Sequence, residues 1–284
     1  MEVILAKTAG FCFGVKRAVD KVYEQVDSGK PDVYTFGPII HNEEVVRDLE
    51  EKGIHVLHTE EELCRLTQGT VIIRSHGVSR RIYELMEKNG LEVIDATCPF
   101  VKKIHRIVQE AGNRGDTVII AGSRAHPEVE GIVGWCGGQA WVVENREEAE
   151  KLDLEAGAQV TIVAQTTFNY NKFKDLVEII LKKGYNSSVV NTICNATQER
   201  QEEASRIAAQ ADAMIVVGGR HSSNTQKLFE ICKKECENTY YIQTFGDLTE
   251  HDFQTVRTVG ITAGASTPKN IIEEVHTNVR VKRV

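Results

Sequence analysis

Short apolar runs alternate along this chain with stretches in which apolar positions return every three or four residues. A short apolar run bounded by turn residues reads as a buried strand, and the longer period reads as one face of a helix. Twelve strands follow from the pattern, four to each third of the chain. They are expected near 33–36, 54–57, 70–74 and 92–95, and near 117–121, 140–143, 160–164 and 188–191. The last third shows runs near 213–217, 239–242 and 258–262, and the N-terminal strand 2–6 is expected to complete that sheet. Strands alternating with helices predict an α/β protein with parallel sheets covered by helices.

Three similar junctions punctuate this alternation. Val3-Ile4-Leu5-Ala6 leads into Thr8-Ala9-Gly10-Phe11-Cys12-Phe13-Gly14, and a helical face of Val15, Ala18, Val19 and Val22 leaves it. Val93-Ile94-Asp95-Ala96-Thr97-Cys98-Pro99 repeats the arrangement, and Val189-Val190-Asn191-Thr192-Ile193-Cys194-Asn195 repeats it again. The three cysteines are 86 and 96 residues apart, and 90 residues follow Cys194. A period of this length suggests repeated small domains rather than a solenoid. The expected lobes are 13–97, 98–193 and 194–284, the third completed by 1–12. Three symmetric lobes would bring three equivalent cysteines to one axis. Each cysteine stands where a helix starts, and the unpaired N–H groups there favour a thiolate. A lone cysteine is more often a buried packing residue, so the recurrence is what favours function.

In α/β sheets the functional groups gather beyond the carboxyl ends of the strands. Those ends are polar here: Gly37 to Asn42 with His41, Arg74-Ser75-His76-Gly77, Ala125-His126-Pro127-Glu128, Ala164-Gln165-Thr166-Thr167, Gly218 to Asn224 with Ser222 and Ser223, and Ala263 to Ser266. Each has a plainer explanation. Ser222 to Asn224 suit the N-cap of a following helix, Pro127 and Glu128 suit a first helical turn, and His41 and His76 suit satisfied buried histidines. Capping alone does not require His41, His76 and His126 in three separate loops, so the set as a whole reads as a site.

The bulk properties narrow the classes. The 284 residues are 41% hydrophobic and 26% charged, ordinary for a soluble globular protein. A net charge of −7 indicates no broad affinity for nucleic acid, and an acidic surface would suit a partner with a basic patch. No apolar run approaches the roughly 20 residues needed to cross a bilayer, and Met1-Glu2-Val3 does not open a secretory signal. Seven widely spread cysteines point to a reducing cytoplasm and to metal or catalytic use rather than disulfides.

Three thiolates with one coordination position left over suit zinc or a cubane iron–sulfur cluster. Among the three junction cysteines neither the short ligand spacing of zinc sites nor the close cysteine runs of ferredoxins occurs. The repeat favours the cubane, whose ligands come from separate directions. His, Ser, Thr and Asn beside helix N-termini suit an anion. There is no Walker motif, and Gly218-Gly219 is too little for a dinucleotide fingerprint. Cys64 and Cys136 read as packing residues. Cys232 and Cys236 share a helix face with no further ligand evident near them.

The stretches AGFCFGVKRAV, HN at 41–42, RSHGV, DATCPFV, AHPEVEG, QTT at 165–167, NTICNATQERQ, SSNT at 222–225 and TAGASTP resemble the signature segments of the LytB/IspH family, the 4-hydroxy-3-methylbut-2-enyl diphosphate reductases. They run in the family's order from residue 8 to about 270. The resemblance implies three α/β lobes with pseudo-threefold symmetry around a central [4Fe–4S] cluster, held by Cys12, Cys98 and Cys194 with one iron open. It implies a diphosphate site among His41, His76, His126, Ser222, Ser223, Asn224 and Ser266. It makes Glu128, with Thr166 nearby, the proton-handling pair at the substrate hydroxyl. The implied reaction is the two-electron, two-proton removal of that hydroxyl as water, giving isopentenyl and dimethylallyl diphosphate at the end of the methylerythritol phosphate route. A ferredoxin or flavodoxin donor, a monomer, and no contact with membrane or nucleic acid are expected. Two other readings stay open on the residues: a non-redox hydro-lyase of the aconitase kind, and a zinc-stabilised or electron-carrier protein.

Overall fold

The computed structural model describes residues 1–248 and 256–282. Strand β1 (Glu2–Leu5) opens the chain and helix α1 (Phe13–Asp27) follows it. The first sheet holds β2 (Val33–Phe36), β3 (His55–Leu57), β4 (Thr70–Ile73) and β5 (Glu92–Asp95), joined by α2 (Glu43–Glu51), α3 (Glu60–Cys64) and α4 (Arg80–Lys88). Helix α5 (Pro99–Asn113) leads to β6 (Thr117–Ala121), β7 (Ala140–Val143), β8 (Gln159–Ala164) and β9 (Asn186–Val189), joined by α6 (Pro127–Cys136), α7 (Arg146–Lys151) and α8 (Tyr170–Leu181). Helix α9 (Asn195–Ala208) leads to β10 (Ala213–Val217), α10 (Ser223–Glu235), β11 (Thr239–Ile242), a 3-10 turn at Phe245–Leu248, β12 (Thr258–Ala263) and α11 (Lys269–Lys282).

All three sheets are parallel and share one strand order. They run β3-β2-β4-β5, β7-β6-β8-β9 and β11-β10-β12-β1, so β1 takes the fourth place in the last. Its register against β12 runs from Glu2 opposite Thr258 to Leu5 opposite Ile261. Strands β4, β6 and β10 are buried throughout. Interior strands covered on both faces read as unbroken apolar runs, which is why they are plain in the sequence. In each sheet the first and third strands are neighbours; in the first two sheets the chain leaves them toward opposite edges, and in the last sheet β1 fills the edge beside β12. That switch point is where an α/β sheet opens a crevice.

The edge strand β9 departs from expectation. It spans Asn186–Val189, not 188–191. The apolar pair Val189-Val190 suggested the later register, but the ladder begins with the polar Asn186 opposite Gln159, and Val189 is 40% exposed. A polar edge discourages pairing with other chains. Cys64 also departs: it ends α3 exposed rather than packed, whereas Cys136, Cys232 and Cys236 are buried.

Contacts divide the chain into two compact units. One comprises residues 1–16, 40–47 and 195–284, the other 17–39 and 48–194. The first unit has apolar cores on both faces of its sheet, around Ile215, Ile261 and Val275 on one side and Met214, Val216 and Leu228 on the other. The second unit holds the other two sheets, and α5 packs on α6 within it. There the Trp135 indole donates to the Val78 carbonyl at 2.8 Å and stacks on His105 at 5.5 Å. No helix among the described residues is long and apolar enough to cross a membrane.

Candidate functional site

The three junction cysteines are pinned in the same way. The Cys12 N–H donates to the Ala265 carbonyl (3.3 Å), the Cys98 N–H to Ser75 (2.9 Å) and the Cys194 N–H to Thr166 (3.0 Å). Each acceptor lies two residues past the end of the third strand of its sheet, β12, β4 or β8. All three cysteines stand at a helix start, half-buried and outside any disulfide. That setting keeps a thiol accessible. The packing cysteines are buried, and burial pushes Cys232 up to about 12 and Cys136 upward as well.

A second set of side chains repeats with the same regularity. His41, His126 and Ser222 each stand five residues past the first strand of their sheets, and His76, Thr167 and Ser266 three residues past the third. One sheet order repeated three times delivers equivalent positions, and the chemistry at them has diverged from histidine to hydroxyl.

In the unit that contains residues 48–194, Glu128 is 1% exposed. The Thr166 N–H donates to its Oε1 at 2.6 Å and the Thr166 hydroxyl to its Oε2 at 2.7 Å. Burial pushes the carboxyl up from 4.5 to about 7, against the pull of the two Thr166 bonds. A carboxyl partly protonated near neutral pH is poised as a proton donor. His126 caps α6 and accepts the Glu128 N–H at Nδ1 (3.1 Å). When neutral it therefore carries its proton on Nε2. His76 meets His126 edge to face with ring centroids 5.3 Å apart.

In the unit that contains residues 195–284, Ser222 caps α10, accepting the Thr225 N–H (3.3 Å) and the Thr225 hydroxyl (2.8 Å). The capping explanation is thus true of Ser222, whose own hydroxyl proton still has to find an acceptor. Ser266 donates to the His41 carbonyl at 3.0 Å, with Ser222 Oγ 3.4 Å away. Ser223 is the first residue of α10 and half-buried. Asn224 is 4% exposed, and neither end of its amide has a partner among the described residues. An unsatisfied buried polar group costs about 1–3 kcal/mol. Such a cost marks a side chain held ready for a ligand.

Three further residues shape this half, and sequence reasoning missed them. Gly219 has no room for a side chain: a Cβ there would stand 2.6 Å from the His41 carbonyl oxygen and 2.7 Å from Glu43 Oε2. Glu43 accepts from Gln243 Nε2 at 2.7 Å. Arg200, 3% exposed, donates to the Ala263 and Gly10 carbonyls at 2.7 and 2.9 Å, tying the Cys12 loop to the end of β12. A signal for Arg200 existed. The buried stripe of α9 is Thr197, Arg200, Gln201, Ala204, Ile207 and Ala208, with polar residues where apolar ones are the rule.

Repeated α/β sheets, thiols at equivalent helix starts and a buried carboxyl held ready for a proton define an α/β enzyme. A family model described as LytB protein matches residues 3–280, and the chain belongs to that family. It is 49% identical over 277 residues to the 4-hydroxy-3-methylbut-2-enyl diphosphate reductase of Caldanaerobacter subterraneus subsp. tengcongensis, covering 97% of this chain and 95% of that one. It is 48% identical over 283 residues to the reductase of the same name from Thermoanaerobacter sp., covering 99% and 97%. Among solved structures it is similar to the E-1-hydroxy-2-methyl-but-2-enyl-4-diphosphate reductase of Plasmodium falciparum, with a TM-score of 0.91 and 30% identity over 98% of this chain and 87% of that one. A second solved structure, of a reductase described as the terminal enzyme of the non-mevalonate pathway, is 44% identical over 99% of both chains with a TM-score of 0.68. Membership in this family makes the chain an oxidoreductase.

Proposed function

We propose that this chain reduces 4-hydroxy-3-methylbut-2-enyl diphosphate to isopentenyl and dimethylallyl diphosphate, as the names of its relatives suggest. Cys12, Cys98 and Cys194 hold a [4Fe–4S] cluster with one iron open. The donor set supports this: three half-buried thiols at helix starts, outside any disulfide and pinned alike, while Cys136, Cys232 and Cys236 are buried. When bound, such a cluster supplies electrons one at a time and Lewis acidity at its open iron. Of the lobes, bounded as 13–97, 98–193 and 194–284 with 1–12, the second carries Cys98 and the third carries Cys12 and Cys194. The protein works as a cytoplasmic monomer fed by a ferredoxin or flavodoxin.

The chain's own residues handle the anion and the protons. His41, His76, His126, Ser222, Ser223, Asn224 and Ser266 take the diphosphate, whose binding energy is remote from the reacting carbon. His126 offers Nε2–H, Asn224 an idle amide, and α10 the positive end of its helix dipole. Ser266 gives up its bond to His41 if it is to donate to phosphate.

Glu128 carries this reading. Its buried carboxyl, near 7, delivers a proton to the departing hydroxyl, and the two Thr166 donors steady the carboxylate left behind. In Glu128→Gln we expect full iron content, unchanged cluster absorbance, near-normal substrate binding and turnover lowered by roughly 10²–10⁴-fold. Turnover within a few-fold of the parent rejects Glu128 as the acid.

A further inference from the structure

The chain carries a net charge of −7, yet the start of α5 is basic. Lys102, Lys103 and Arg106 fall in its first two turns, and no acidic residue precedes Glu110 in the helix. Cations near a helix start oppose the positive end of its dipole, which favours acidic residues instead. Lys102 has Asp95 at 2.5 Å. Lys103 and Arg106 are exposed and have no acidic partner among the described residues.

Phe100 joins them on the same stripe, 44% exposed. A cavity of about 290 Å³ opens beside this face, walled by Tyr83, His105, Arg106 and Trp135 and by the Asp95–Lys102 ion pair. Exposed aromatics and arginine are enriched where proteins dock, and rim charges select the partner. The helix that presents this face is capped by Cys98 itself. Arg106 lies eight residues from it, about 12 Å along the helix axis.

We propose that this face docks a small acidic electron-carrier protein, which delivers electrons beside Cys98. The inference rests on the reductase reading above. Each docking passes one electron, and the carrier leaves oxidised. Two visits and two protons convert one substrate: the hydroxyl leaves as water with one proton, and an allylic carbon takes the other. The acidic character of the chain as a whole points to a basic partner, but the local charge at α5 is of the opposite sign, and it is the local charge that a docking partner meets.

The test is the double variant Lys103→Glu/Arg106→Glu of the cluster-loaded full chain. Glutamate suits a helix N-terminus, so the variant is expected to fold. Turnover is measured with a reduced acidic bacterial ferredoxin and, separately, with reduced methyl viologen. We expect the ferredoxin KM to rise about tenfold at low salt, with the viologen rate and the iron content unchanged. Added salt should weaken the parent's use of ferredoxin and leave the variant's flat. A ferredoxin KM within twofold of the parent overturns the docking face, as do ferredoxin and viologen rates that fall together. A parent active with viologen but not with ferredoxin overturns the docking face alone. A parent inactive with both overturns the reductase reading, and the docking face with it.

Discussion

Glu128 has two hydrogen-bond donors and, among the described residues, no cation beside it, and that balance sets what it does. As a residue type at a strand end it was legible in the sequence. Its burial was not, because that depends on Thr166, 38 positions away in the chain. The bound diphosphate is not needed to raise its pKa, since burial alone does so. The folded value near 7 lies above the ordinary carboxyl value of 4.5, so the folded chain binds the extra proton between them. Stability is therefore lost as pH rises from about 4.5 through about 7, by a linkage on the order of 3 kcal/mol. Glu128→Gln removes that dependence: melting should favour the variant at pH 8 and bring the two proteins together near pH 5. A gap of equal size at both pH values argues against the raised carboxyl. Asn224 gives a prediction of the opposite kind. Asn224→Ala should raise the substrate KM by roughly 10- to 100-fold, the loss of a hydrogen bond to a charged group. It should leave the melting temperature of the substrate-free protein unchanged or higher, because an unsatisfied amide has been removed. A lowered melting temperature with an unchanged KM would mean that Asn224 is only a structural residue.

The elements were legible where burial makes periodicity strong and obscure where it does not. Strands β4, β6 and β10 are apolar and buried throughout and stand where the pattern put them. The edge strand β9 has one apolar residue in four, and its register was misjudged. Strand-end loops were found by residue type, but their close packing was hidden. Gly219 is an example, since nothing in a sequence shows that the His41 carbonyl will come so near. Gly219→Ala should destabilise the chain by about 1–3 kcal/mol, because the obstacle is backbone, and should also weaken binding of inorganic pyrophosphate. Calorimetry on the variant checks both, and unchanged values in both would show that the loop yields freely. The cysteines divide at this scale too. Ser in place of Cys12, Cys98 or Cys194 should lower iron content sharply. Ser in place of Cys232 should not, since its thiol faces the Ala204 carbonyl inside the core.

For the whole molecule, the threefold repeat was legible because the cysteine junctions recur at 86 and 96 residues and each sheet repeats one strand order. Strand β1 closing the last sheet followed from a count of strands. The membership of residues 40–47 was not legible. They follow β2 in the chain yet belong to the unit of residues 195–284, held there by Ser266 on the His41 carbonyl and by Gln243 on Glu43. Long-range packing of that kind leaves no periodic mark. The net charge of −7 likewise concealed the basic start of α5. What unites these levels is the proposed reductive removal of an allylic hydroxyl, and it is open to one direct measurement. Anaerobically purified, cluster-loaded protein is mixed with reduced methyl viologen and 4-hydroxy-3-methylbut-2-enyl diphosphate, and electrons and products are counted. We predict two viologen radicals oxidised for each substrate consumed, with isopentenyl and dimethylallyl diphosphate as the products. Substrate consumed without reductant, or viologen left reduced in its presence, would contradict the central claim.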